Sequence, residues 1–292
     1  MGLEKKFDLY LEWTSFLRSK LCQIILWAYY KNVFLGDWVL YLDNGTKFTY
    51  HSDTGLFPLS FSFSGITDFR DMKFLSRYLR KGDFVFDCGA HQGLYSVYLA
   101  KLVGNEGRVF AIEPSKRFIS YLEKNKQENN LYSIEIFPFA AGNKKEKKTF
   151  YENGPFSRLS VQSFDNSSIE VEVICLDELL DRGLRYAFGK IDVEGAELLV
   201  LQGLTKMLKE ANPPVLQIEI TKLVKDYGYS AQELKEFLFD LGYMLYLYSP
   251  WSNQLLKRSK PWKSCINSLA IHHKSIEFVI DRLKSKNQEK GL

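Results

Sequence analysis

The stretch Phe84-Val85-Phe86-Asp87-Cys88-Gly89-Ala90-His91-Gln92-Gly93 is an apolar strand that runs directly into a glycine turn. About twenty residues later, Arg108-Val109-Phe110-Ala111-Ile112-Glu113-Pro114 repeats the design, an apolar strand with a carboxylate at its C-terminal end. Strand, turn, helix and strand at this interval form a βαβ unit, which commits the chain to a largely parallel sheet flanked by helices. Ligands of such sheets bind outside the carboxyl ends of the strands. Asp87 and Glu113 stand at those ends, and two acids with a glycine turn between them point to an adenosine-containing ligand.

The rest of the chain keeps this rhythm. Apolar periodicity predicts one or two amphipathic helices over 7–35, with Leu9, Trp13, Phe16, Leu17 and Leu21 on one face. Trp38–Leu42 and Lys47–Tyr50 read as a hairpin closed by Asn44-Gly45 in a type I′ turn. Helices are expected at 68–80, 93–103, 115–129, 176–182, 195–210, 230–241 and 275–289. Main strands are expected at 84–88, 108–113, 134–139, 187–192, 215–220, 243–248 and 266–272, with shorter ones near 147–151 and 169–174. The last two main strands lack a crossover helix, so they should pair antiparallel. The expected fold is α/β: a mostly parallel seven-stranded Rossmann-like sheet, one antiparallel strand near an edge, helices on both faces and an N-terminal helical and hairpin extension. The divisions implied are 1–67, 68–274 and 275–292.

Net charge is +4, and residues 251–292 carry nine Lys or Arg against three Asp or Glu, so the body is nearly neutral and the tail basic. A basic tail is first of all a solvated surface, and no stacking platform is interleaved with it, so no nucleic-acid partner is expected. The four cysteines, Cys22, Cys88, Cys175 and Cys265, lack metal-like spacing, and Cys88 and Cys175 sit in apolar patterns that suggest buried core positions. This fits a reducing, cytoplasmic setting. The apolar run Leu21–Tyr30 is interrupted by Gln23 and is far shorter than the roughly 20 residues a spanning helix needs. The N-terminal helix could pack on the domain or pair with a second copy, which makes a homodimer possible.

A dinucleotide site would carry G-x-G-x-x-G, bringing backbone close to a pyrophosphate at a helix N-terminus. Here the first glycine is missing and Asp87 occupies the turn. A fixed carboxylate repels pyrophosphate but accepts hydrogen bonds from a neutral or cationic ligand. Glu113 is placed to accept from ribose hydroxyls. A second acidic cluster, Gly189-Lys190-Ile191-Asp192-Val193-Glu194-Gly195-Ala196-Glu197, ends the fourth main strand, and Glu219 lies near the end of the next. Asp192, Glu194 and Glu219 on neighbouring strand ends could act as a general base, bind hydroxyls or hold a divalent cation. Glu197, on the first turn of its helix, is explained by the helix dipole alone.

Asp87-x-Gly89-Ala90-x-x-Gly93, Glu113-Pro114, Leu176-Asp177-Glu178-Leu179, Lys190–Glu197 and Gln217-Ile218-Glu219 occur in the order found in FkbM-type S-adenosylmethionine-dependent methyltransferases, which the chain resembles over roughly residues 68–272. The resemblance implies a class I methyltransferase fold, S-adenosylmethionine as cofactor, and O-methylation of a hydroxyl on a sugar, glycan or other small-molecule natural product. By position, Asp87, Gly89, Ala90 and Gly93 would line the methionine side of the cofactor, Glu113 would bind the ribose, and Phe139 and Ala140 would flank the adenine. Asp192 and Glu194 would face the methyl group and acceptor as candidate bases, with Glu219 third; no residue is assigned to a metal. A nucleotide-dependent oxidoreductase and a non-catalytic methyltransferase-like binding domain are the competing readings. His91 receives no role, and His51, His272 and His273 are expected to be surface or hydrogen-bonded histidines.

Overall fold

Apolar strands alternate with amphipathic helices from residue 69 onward, and the computed structural model builds them into two sheets and a hairpin. It describes residues 37–51, 69–152, 158–159, 168–258 and 266–285, so the helices expected over 7–35 lie outside the described residues. The strands are β1 (Trp38–Tyr41), β2 (Lys47–Tyr50), β3 (Phe84–Cys88), β4 (Arg108–Ile112), β5 (Ile134–Phe137), β6 (Ala140–Ala141), β7 (Glu146–Tyr151), β8 (Arg158–Leu159), β9 (Ser168–Ile174), β10 (Tyr186–Ile191), β11 (Val215–Ile220), β12 (Tyr243–Ser249), β13 (Gln254–Lys257) and β14 (Ile266–His272). The helices are α1 (Phe69–Tyr78), α2 (Leu94–Val103), α3 (Lys116–Glu128), α4 (Leu176–Leu180), α5 (Glu197–Gln202), α6 (Thr205–Lys209), α7 (Ala231–Asp240) and α8 (Ile276–Ser285).

The main sheet runs β13-β12-β14-β11-β10-β3-β4-β5. Its five central and distal strands, β11 to β5, are parallel. β14 inserts antiparallel between β11 and β12, pairing Val215 with Ile271 and Tyr243 with His272. All seven expected strands are present, and the final pair is antiparallel as expected. The sheet has an eighth strand because Gln254–Lys257 folds back on β12. That four-residue segment is mostly exposed and carries no alternation long enough to read as a strand. β14 therefore lies inside the sheet, third from its edge.

Alternate side chains of each strand point to opposite faces. Val85 joins the core under α1, α2 and α8, whereas Phe86 joins the core under α5, α6 and α7. The expected helix 195–210 is two helices, α5 and α6, broken at Gly203-Leu204. Close approach is the reason: a β-carbon at Gly203 would lie 1.9 Å from the Gly142 carbonyl oxygen. The polar middle section forms a four-stranded sheet, β6-β9-β7-β8, across the carboxyl side of the main sheet.

The hairpin turn differs from its expected type. β1 and β2 are joined by residues 42–46, with the Gly45 amide donating to the Leu42 carbonyl at 2.9 Å, and Gly45 alone has positive φ (+80°). Asn44 instead uses its side chain, accepting from Thr46 N–H at 3.1 Å and donating to the Tyr98 carbonyl at 3.2 Å. A five-residue loop built on a type I turn with a left-handed glycine replaces the two-residue turn. The hairpin is clasped to the body by buried Asn125 of α3. Its amide accepts from Thr49 N–H at 2.7 Å and donates to the Thr49 and Gln92 carbonyls, both at 3.0 Å. Gln92, in the glycine turn, accepts in turn from His51 N–H at 2.8 Å. At the other end of the chain, α8 buries Val279 and Leu283 and ties Arg282 to Asp83 at 2.6 Å.

Candidate active site

Five parallel strands end at one rim, and the loops leaving β3, β4 and β10 turn away in different directions there. Between them lies a cavity of about 250 Å³. Asp87, Gly89, Ala90, Glu113, Phe139 and Ala140 line it from one side, and Asp192 and Glu194 from the other. Gly93 stands behind it: with φ +89°, it starts α2, and a β-carbon there would meet Leu122 at 2.1 Å. Glu219 is not on the wall but stands beside it, with carboxylate oxygens of Asp192, Glu194 and Glu219 within 4.8 Å of one another.

The glycine turn is held by its own amides. Gly89 and Ala90 N–H donate to the Ile112 carbonyl at 3.0 and 3.1 Å, Gly93 N–H to the Ala90 carbonyl at 2.8 Å, and His91 N–H to Glu113 Oε2 at 2.9 Å. Glu113 Oε1 accepts from Ser115 N–H at 2.9 Å. Each Glu113 oxygen thus keeps a further lone pair for a hydroxyl donor. Burial pushes the Glu113 carboxyl up to about 7, against the opposing pull of those two amides.

Asp87 is fully buried. Its Oδ2 accepts from Ser96 Oγ at 2.7 Å, while Oδ1 has no hydrogen-bond partner among the described residues. Burial raises its pKa, and the nearby Lys190 charge opposes this. Lys190 is a charged residue near the carboxyl end of β10, a strand buried along its whole length. Its ammonium lies 2.7 Å from Asp192 Oδ2 and 4.7 Å from the centre of the Tyr95 ring. Burial disfavours that ammonium, but Asp192, Asp87 and Glu219 outweigh it and hold the lysine charged. Burial likewise works against the Asp192 carboxylate, and the Lys190 charge and hydrogen bond overcome it, keeping Asp192 below the ordinary carboxylate range. Below this pair, Gln217 Nε2 donates to the Tyr95 hydroxyl at 3.0 Å.

Lys190, Tyr95 and Gln217 received no role from sequence reasoning. A lysine inside an otherwise apolar strand was the signal available for the first. Nothing local marks Tyr95, whose place in the cavity depends on β10 lying beside β3. The hairpin adds Leu40, Phe48 and Tyr50 to the wall, and the small sheet adds Phe150 and Leu159. His91 also lines the cavity, its ring 4.0 Å from that of Phe118. His51 is a hydrogen-bonded histidine, with Nδ1 2.7 Å from Asp37 Oδ2 and its ring stacked on Tyr121. Cys88 is buried as expected, whereas Cys175 is half-buried because it precedes α4 at the edge of its core.

Glu197 does more than complement a helix dipole. It is wholly buried, and Oε1 accepts from Val193 N–H at 3.2 Å and Gly195 N–H at 3.1 Å, pinning the turn that carries Glu194. Glu194 has φ +52° and Gly195 +109°, so this turn needs such support. Burial pushes the Glu197 carboxyl from 4.5 to about 7, the turn amides opposing. The folded protein therefore holds a proton that the unfolded chain has lost between these two values. Stability falls as pH rises through that window and levels off above it, by about 3 kcal/mol for this group. Glu197→Gln keeps an acceptor for both amides and never ionises. Its urea midpoint should match the wild type near pH 5 and exceed it at pH 8; equal differences at both pH values would refute the assignment.

The domain family described as "Methyltransferase FkbM domain" matches residues 87–245, from the aspartate of the glycine turn to the middle of β12. The chain belongs to the FkbM methyltransferase family. Among curated proteins, it is 26% identical over 195 residues to Methyltransferase sdnD of Sordaria araneosa, covering 52% of this chain and 75% of that protein. It is 27% identical over 142 residues to the 23S rRNA (uracil(1939)-C(5))-methyltransferase RlmD of Acinetobacter baylyi, covering 41% of this chain but 29% of that one. A solved FkbM methyltransferase from Methylobacillus flagellatus superposes with a TM-score of 0.43 at 20% identity, covering 72% of this chain and 46% of its own length. The chain thus spans less than half of that FkbM protein. The FkbM match includes every acid among the described lining residues, Asp87, Glu113, Asp192 and Glu194, and excludes the hairpin that closes the cavity from the N-terminal side.

Proposed function

We propose that the protein transfers a methyl group from S-adenosylmethionine to a hydroxyl oxygen of a small-molecule or glycan acceptor. The observation that carries this reading is the convergence of four carboxylates on one cavity, at the carboxyl ends of three adjoining parallel strands. The residues fit the donor. Asp87, with its buried and unpartnered Oδ1, supplies an acceptor for a positively charged amino-acid end. Glu113 has lone pairs for ribose hydroxyls, and Phe139 and Ala140 offer an apolar wall to an adenine ring.

The bound donor would supply an electrophilic methyl on a sulfonium, and the protein supplies orientation and exclusion of water. Asp192 or Glu194 takes the acceptor's hydroxyl proton as the oxygen attacks, with Glu219 behind them. Lys190 keeps Asp192 ionised and therefore able to accept a proton. The same three acids have the chemistry to hold a divalent cation, although the Lys190 ammonium already brings positive charge to them. A cytoplasmic setting is supported by the free thiols of Cys88 and Cys175. No helix among the described residues is long and apolar enough to cross a membrane.

Calorimetry of the full chain with S-adenosylmethionine and with NAD tests the reading. Micromolar binding of the former alone is expected, and binding of NAD alone would replace the methyltransferase by an oxidoreductase.

A further inference from the structure

Glu194 stands on a turn that a chain does not adopt unaided. It has φ +52° and Gly195 has φ +109°, both in the left-handed half of backbone space. A glutamate there is strained, and the strain persists only where surrounding contacts hold the backbone in place. Gly195 is buried, and the peptide groups on its two sides are held by different side chains. Its N–H, in the peptide that follows Glu194, donates to Glu197 Oε1 at 3.1 Å. Its carbonyl accepts from the Tyr229 hydroxyl, whose oxygen in turn accepts from Leu198 N–H at 3.0 Å. Ala196, at the N-cap of α5, makes no side-chain capping bond. Tyr229 therefore satisfies from outside the helix an amide that a cap residue would normally serve.

The segment that leaves β11 puts Tyr229 in this place. Glu219 lies near the end of that strand, and a 3₁₀ helix, Lys222–Tyr227, follows, with the Thr221 side chain accepting from Leu223 N–H at 3.2 Å. A β-carbon on Gly195 would lie 2.8 Å from both the Leu223 carbonyl oxygen and Tyr227 Cε2, so this helix lies directly against the Glu194 turn. Gly228, with φ +80°, ends it and leads the chain to Tyr229, which is buried. Burial, reinforced by Glu197, raises the Tyr229 pKa, so the hydroxyl keeps its proton and stays a donor. Glu194 is among the lining residues of the cavity and Tyr229 is not.

We propose that Tyr229 is a positioning residue for methyl transfer: its hydroxyl fixes the peptide after Gly195 and so aims the Glu194 carboxylate at the acceptor hydroxyl. The proposal rests on the methyl-transfer reading above, with Glu194 as a proton acceptor in it. Without that hydroxyl, the buried Gly195 carbonyl and Leu198 N–H lose their partner. The backbone beyond Glu194 can then relax out of its strained conformation and carry the carboxylate off line. A misplacement of about 1 Å is enough to cost about 10²-fold in rate. Asp87, Glu113 and Phe139, assigned to the donor, stand on other loops, so donor affinity should not follow.

A double-mutant cycle in the full chain separates positioning from support of the fold. The rate is single-turnover transfer of label from methyl-labelled S-adenosylmethionine to the small molecules of a cell extract. Tyr229→Phe should lower it about tenfold or more, with calorimetric donor affinity within about threefold of wild type. In the Glu194→Gln background the same change should alter the residual rate by less than about threefold, because the carboxylate it aims is gone. Tyr186→Phe is the control for stability. It removes a comparable buried bond outside the cavity wall, from the Tyr186 hydroxyl to the Leu180 carbonyl at 3.0 Å. It should lower the urea midpoint by a similar amount and leave the rate unchanged. An equal fold-loss from Tyr229→Phe with and without the Glu194 carboxylate, or a wild-type rate in Tyr229→Phe alone, would overturn the proposal and leave the methyl-transfer reading in place. A wild-type protein that neither binds the donor nor transfers label would overturn that reading, and the positioning role with it.

Discussion

Replacing Asp192 by asparagine is expected to lower turnover about 10²–10⁴-fold, the usual contribution of a positioned proton acceptor, while the affinity for S-adenosylmethionine changes by less than about tenfold. Asp192 is both on the cavity wall and bound to a buried cation, 2.7 Å from Lys190 Nζ. An amide at this position is nearly isosteric but cannot accept a proton. It also leaves Lys190 with a weaker partner, and a buried charge that loses its counter-ion destabilises the fold by several kcal/mol. Here that cost is moderated because Asp87 also faces the lysine and the Asp192 side chain is 27% exposed. Single-turnover transfer of labelled methyl, measured beside calorimetry of donor binding, separates the two effects. Glu194→Gln should act in the same direction without disturbing Lys190. Full turnover in both amide variants would remove these residues from the mechanism.

Gly89→Ala should cost at least about 3 kcal/mol of folding stability, from the class of changes that force a strained backbone and a steric clash. Gly89 has φ +84°, and a β-carbon there would lie 1.9 Å from the Asp192 carbonyl oxygen. The partner atom is backbone, so no side-chain rotation can relieve the overlap. Separation of the loops after β3 and β10 would follow, and with it the loss of the bond from Asp192 N–H to the Cys88 carbonyl at 3.0 Å. The donor site and the candidate base would move apart together. Gly45→Ala is the control: it also has positive φ (+80°), but its β-carbon would meet nothing within 4 Å. Urea unfolding of the two variants should show a several-fold larger loss at Gly89. Equal losses would mean that positive φ alone, and not the contact with Asp192, makes the glycine necessary.

Much of the site was legible because its parts are local. A carboxylate at the end of an apolar run, followed by a glycine or proline that ends the strand, needs only the strand period and the turn chemistry to be recognised. Asp87, Glu113 and Asp192 are of this kind, and all three line the cavity. Gly93 was placed on the cofactor side by the same logic, yet it stands behind the cavity against Leu122. A glycine in a turn announces its backbone conformation but not which neighbour comes close. In the sequence Glu197 is explained by the helix dipole alone, and only the fold of residues 193–195 over it makes it a buried support. The break between α5 and α6 was hidden for a similar reason, since its cause is Gly142, about sixty residues earlier in the chain.

The sequence by itself determined the βαβ order, the acids at the strand ends and the missing pyrophosphate turn, because each depends on residues close together along the chain. Tertiary structure alone decided that Lys190 is committed to Asp192, that the turn amides are spent internally, and that the hairpin and small sheet close the cavity with apolar side chains. The bonds of the turn to Ile112 and Glu113 and the closing of the cavity depend on strand order and on contacts between segments far apart in sequence. Lys190 and Asp192 are only two residues apart, and what the sequence does not show is that the sheet buries the lysine and so makes that carboxylate its partner.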